Sequence, residues 1–167
     1  GALPISAFHA LSFWVMKRRA GEVGERFGRE CVAPLWRSLS RPPRLHLIGH
    51  SFGAKLVTSI ALGGARPESV TLLLAAFSAF AFAPEIPSFD RPGFYHRVLA
   101  ERRIAGPIVV LRSDHDTALG TFYRAVTGSG EIDRHGEAEP GKPAGRLGRM
   151  AETVAASALG AVGARGV

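Results

Sequence analysis

The sequence predicts an α/β fold in which a parallel sheet is joined by crossover helices. Two observations carry this. Short apolar runs begin at Leu45, Val70 and Ile108, each after a Pro- or Gly-containing turn, and stretches of helical period lie between them. The residues able to do chemistry fall just past these runs: Ser51 after the first, Asp114, His115 and Asp116 after the third. Parallel sheets gather functional groups at those carboxyl ends.

The elements follow in chain order. Ala7, Leu11, Trp14 and Val15 recur at helical spacing, with Lys17, Arg18 and Arg19 behind them, which predicts a scaffold helix with one solvated face over about 6–30. Gly21, Gly24 and Gly28 interrupt that pattern. A second helix is expected over about 30–39, and Arg41-Pro42-Pro43-Arg44 reads as a stop and a turn. Leu45, Leu47 and Ile48 begin a strand that enters Gly49; residues 54–62 read as a helix ended by Gly63 and Gly64. The run VTLLLAA at 70–76 is that of a strand buried on both faces. After Pro84, Pro87, Pro92 and Gly93 comes a helix over about 95–103, then Gly106 and Pro107 open a buried strand ending near Ser113. A helix is expected over 117–126, a short strand near 131–133 and a helix over 150–159. The pattern defines one domain over 1–167, with its core at 45–126 and a weakly defined part at 128–167.

Composition narrows the function classes. The chain has 167 residues, enough to bury about 70% of the unfolded surface. No apolar run approaches the ~18 residues of a membrane span, the longest being broken by Thr71 and Ser78. The net charge of +7 rests on arginine, since Lys17, Lys55 and Lys142 are the only lysines. Apart from Lys17-Arg18-Arg19 its basic residues are scattered, and no helix-turn-helix, zinc-finger or RNA-binding motif accompanies them, so no nucleic-acid partner is expected. Cys31 is the only cysteine and reads as a small buried residue. It excludes an intramolecular disulfide, and a cytoplasmic location is the expectation.

The stretch LHLIGHSFGAKLV holds Gly49-His50-Ser51-Phe52-Gly53, a G-x-S-x-G pentapeptide between a strand and a helix. A serine hydroxyl becomes a useful nucleophile only when a base takes its proton and its position is fixed. A sharp strand-to-helix turn pushes the hydroxyl clear of the backbone, and close approach on either side explains Gly49 and Gly53. The helix N-terminus then faces the site, where the N–H of Phe52 would stabilise an oxyanion.

This stretch resembles the nucleophile elbow of the α/β-hydrolase superfamily, the group of serine esterases, lipases and related enzymes. GPIVVLRSDHDTALG resembles the later strand and turn that carry the acid there, and FWVMKRRAGEVG the helix before the nucleophile strand in some hydrolase-like proteins. The resemblance implies a serine hydrolase cleaving an ester-like or other acyl bond of a small-molecule substrate, with no metal and no cofactor. It assigns Ser51 as nucleophile and Asp116, three residues after the small Ser113, as the acid, with Asp114 as the other candidate. A Ser, Asp, His order requires the base to follow, and His135 is the histidine C-terminal to His115. A base beyond Val167 is the alternative. His50 is expected to support or pack; His9, His46 and His96 read as structural.

The expected HGG-like oxyanion loop does not precede Leu45, so the resemblance implies a fold incomplete at both ends. Phe77, Phe80, Phe82, Phe89, Phe94 and Tyr95 suit either an acyl pocket or core packing. Two other readings stay open: a hydrolase-like binding or assembly module without catalysis, and acyl transfer to an acceptor other than water. Oligomeric state is not legible.

Overall fold

The computed structural model describes residues 5–86, 91–113, 131–132 and 138–139. It is a mixed α/β fold. Three parallel strands, β1 (His46–His50), β2 (Ser69–Leu73) and β3 (Ile108–Leu111), form a sheet in the order β1-β2-β3. His46 lies beside Ser69 and His50 beside Leu73; Val70 lies beside Ile108. Helix α3 (Phe52–Leu62) joins β1 to β2, and α4 (His96–Ala100) lies between β2 and β3. Two short strands, β4 (Glu131–Ile132) and β5 (Ala138–Glu139), pair antiparallel. The helix expected over 117–126 and the one over 150–159 lie outside the described residues.

The first two expected helices form one continuous run. Helix α1 (Ile5–Phe27) passes through Gly21 and Gly24 and continues by a π-helical turn, Gly28–Val32, into α2 (Ala33–Ser38). Glycine lowers helix propensity, but here it serves packing. A Cβ at Gly24 would overlap the carbonyl oxygen of Leu56, one at Gly28 that of Ile60, and one at Gly63, just past α3, that of Glu25. The helices thus approach backbone to backbone, and tertiary contact outweighs the propensity penalty. Cys31, expected to be buried, is exposed. In the π turn it is Gly28 and Val32 that face inward, which turns Cys31 toward solvent.

The sheet is covered on one face among the described residues. Leu47, Val70, Leu72, Ile108 and Val110 pack with Ala54, Val57 and Ala61 of α3 and with Val98 of α4. On the other face Ile48, Val109 and Leu111 are exposed, while Thr71 and Leu73 are half-buried. The expectation of strands buried on both faces therefore fails at β3, which is the outer strand of the sheet among the described residues and has no described element over its exposed face.

The aromatic run after β2 is mostly core. Phe77, Phe82 and Tyr95 are buried, and their rings meet at centroid distances of 5.2 to 6.1 Å. Phe80 and Phe94 are half-buried, and Phe89 lies outside the described residues. Helix α4 is shorter than expected because Arg102, at φ 49°, turns left-handed just past it.

The glycine contacts give a test. Alanine is the better helix former by about 1 kcal/mol. Gly24→Ala and Gly28→Ala should nevertheless each destabilise the chain by about 1–3 kcal/mol, because the added methyl meets backbone that cannot rotate away. Chemical denaturation measures this, and a gain in stability in both variants would refute the close contact.

Candidate functional site

Ser51 stands between the end of β1 and the start of α3 with φ 54° and ψ −116°. A non-glycine residue in that region is strained by about 1–3 kcal/mol and persists only where its surroundings hold it. Here they do. The Ser51 N–H donates to Leu73 O at 2.9 Å, continuing the β1–β2 ladder. Its carbonyl accepts from Ala54 N at 3.1 Å and from Ala76 N at 3.3 Å. The backbone is tied on both sides, and the side chain makes no cap hydrogen bond to the helix it precedes. The residue is half-buried.

The two glycines flanking this serine play unequal parts. A Cβ at Gly49 would overlap Gly53 O and come within 2.6 Å of Ala54 N, so the strand must be bare where the helix folds back on it. A Cβ at Gly53 would meet nothing within 4 Å. The expectation that close approach dictates both glycines holds for Gly49 alone. The contact is one-sided: Gly49 points at the first helical turn, while the α-carbon of Gly53 points away from the strand.

Phe52 opens α3, and the first N–H groups of a helix have no intrahelical acceptor. Among the described residues the turn and cap hydrogen bonds engage the N–H of Ala54 and not that of Phe52. The Phe52 ring packs on Phe13 of α1 at 4.9 Å, in a small apolar cluster with Leu74 and Ala76. Leu74 is itself at φ 47°, so the chain bends sharply at the carboxyl end of β2 as well. Sequence reading missed Phe13. The legible signal was the glycine spacing on α1, which sets the face turned to α3.

Two buried cations lie behind this cluster. Lys17 is 0% and Lys55 2% exposed. The Lys17 ammonium sits 5.9 Å from the centre of the Phe13 ring, within cation–π range. The Lys55 stem runs past Gly21, where a Cβ would lie 3.1 Å from its Cε.

Of the other predicted site residues, Asp114, Asp116 and His135 lie outside the described residues, and so does the side chain of His9. His50 is exposed at the end of β1. His46 is exposed, its Nδ1 2.7 Å from Ser69 Oγ, and His96 Nδ1 lies 3.3 Å from Phe82 O; both ties are structural. Among the described residues no cluster of three His, Cys, Asp or Glu is placed to hold a metal, and no helix is long and apolar enough to cross a membrane. No family model matches the chain, and no curated protein or solved structure matches it.

The asymmetry of the turn predicts an asymmetric response. Gly49→Ala should cost about 1–3 kcal/mol through overlap with the α3 backbone. Gly53→Ala should gain up to about 1 kcal/mol from helix propensity. Thermal denaturation of the two variants reads the difference, and equal losses would contradict the one-sided contact.

Proposed function

We propose that this chain is a serine hydrolase of the α/β-hydrolase type, cleaving an ester-like acyl bond of a small molecule through an acyl-enzyme on Ser51. The observation that carries the reading is the Ser51 backbone: a strained serine at a strand-to-helix turn, fixed by its own main-chain hydrogen bonds, with its side chain left out of helix capping. Strain of this kind is kept where it serves function.

In the proposed mechanism Ser51 Oγ attacks the acyl carbonyl carbon while its proton passes to the imidazole of His135. Asp116 holds that imidazole in the productive tautomer and offsets its positive charge. The carbonyl oxygen becomes an oxyanion facing the Phe52 N–H at the positive end of α3. Collapse of the tetrahedral intermediate breaks the bond to the leaving alkoxide, which takes the proton from His135. Water, deprotonated by the same histidine, then attacks the acyl carbon; the bond to Ser51 Oγ breaks, the histidine returns the proton to that oxygen, and the acid is released. The proposed chemistry needs no metal or organic cofactor, and the site is proposed to work in the cytoplasm.

A fluorophosphonate probe tests the assignment without knowledge of the substrate. The purified chain should gain one covalent adduct by intact mass, and Ser51→Ala should gain none. His135→Ala should label at least about 100-fold more slowly, the lower end of what a general base contributes. A folded wild-type chain that takes no label would refute the reading and leave a binding or assembly module in its place.

A further inference from the structure

At the opposite end of the sheet from Ser51, where β2 and β3 begin, a hollow of about 390 Å³ is lined by Gly64, Ala65, Arg66, Glu101, Arg102 and Arg103. We propose that this hollow binds the phosphate group of a small amphiphilic ligand. Its lining counts three arginines against one glutamate, an excess of two positive charges. The carboxylate is already engaged. Arg97 Nε donates to Glu101 Oε1 at 2.8 Å and Arg103 Nε to Oε2 at 2.6 Å. These hydrogen bonds, from Arg97 first and Arg103 second, hold the Glu101 carboxyl below its ordinary range and keep it ionised at neutral pH. Arg103 also donates to the Leu62 carbonyl at the end of α3, which makes it a wall of the hollow. Arg66 and Arg102 make no ion pair among the described residues.

The backbone at Arg102 adds a second observation. Its N–H donates to Leu99 O at 3.0 Å, and that of Arg103 to Val98 O at 2.9 Å, closing α4 with a left-handed residue at φ 49°. Glycine is the usual occupant of that position, because it carries no penalty there. An arginine side chain is held at this point against its backbone preference, and it borders the hollow.

Arg102 also borders a neighbouring cavity of about 330 Å³, whose other walls include Phe82, Leu99, Ile108 and Val110. Arg102 is thus the residue shared by a basic hollow and an apolar one. Guanidinium groups match the oxygens of a phosphate in pairs, and the apolar cavity takes a hydrocarbon portion of the same molecule.

Hexyl phosphate, titrated calorimetrically into the full chain, tests the site. It should bind saturably, and more tightly than inorganic phosphate. Arg66→Gln and Arg102→Gly should each weaken it about ten-fold or more, as expected for loss of a charge-assisted hydrogen bond. Arg37→Gln, on α2, should bind as wild type. Arg102→Gly removes a strained side chain, so its thermal midpoint should not fall, which separates lost binding from lost folding. Sedimentation with phosphatidic acid vesicles distinguishes the sources: retention that both variants lose identifies a lipid headgroup, and binding of hexyl phosphate alone identifies a soluble ester. Absence of saturable binding, or variants that bind like wild type, would overturn the proposal.

Discussion

The carbonyl oxygens of Leu56 and Ile60 occupy the space that side chains at Gly24 and Gly28 would need, and Glu25 O occupies that of Gly63. Helices usually pack 8–10 Å apart because side chains interdigitate between them. At these three points the nearest atom to each glycine is a main-chain oxygen of the facing segment. The contact fixes how α3 is rotated about its axis. With α1 on one flank, Val57 and Ala61 are turned to the sheet, Ser59 toward Tyr95, and Phe52 toward Phe13. The rotation of α3 in turn sets where its first turn meets Gly49, and so where Ser51 is held.

The interior behind that helix is not purely apolar. Ser59 Oγ and Tyr95 Oη lie 2.7 Å apart, and the Tyr95 hydroxyl also donates to Lys55 O at 3.2 Å. Tyr95 therefore ties the loop before α4 to the middle of α3, while its ring packs edge-on against Phe77 and Phe94. A buried hydrogen bond contributes only about 1 kcal/mol net, but a buried hydroxyl left without partners costs more. Such a network therefore favours one arrangement of the core over its neighbours. Lys17 and Lys55 sharpen that selection. Removing an ammonium from water costs several kcal/mol, so only a packing that compensates both is tolerated.

Much of the order of elements was legible because it rests on local rules. The strand at β1, the helix after it and its stop at Gly63 follow from apolar period and glycine placement. The errors share one cause, which is that a residue's local preference was read without its tertiary neighbour. Gly21, Gly24 and Gly28 interrupt a helical pattern by propensity, yet the helix runs through the first two because α3 lies against them. Cys31 reads as a buried small residue, but a π turn rotates it outward. The apolar run at β3 reads as buried on both faces, since period alone does not distinguish a central strand from an outer one. At the candidate site, the pentapeptide located Ser51, but the difference between Gly49 and Gly53 needed the fold-back of α3. The Arg102 turn carried no glycine, asparagine or proline to announce it.

Helix α3 links the two ends of the sheet electrostatically. The macrodipole of a helix places partial positive charge at its N-terminus and partial negative charge at its C-terminus. At the C-terminus the Leu62 carbonyl accepts a hydrogen bond from Arg103, whose own position is held by Glu101. The negative end is thereby met by a fixed cation. At the N-terminus the residue in the capping position, Ser51, gives no side-chain acceptor to the first turn, and no acidic residue stands there. Helix ends are ordinarily satisfied by a serine or aspartate in that place. Here the serine is locked in a conformation that withholds its hydroxyl from that task. The positive end of α3 thus remains available to stabilise negative charge that develops beside it, while its negative end is already compensated.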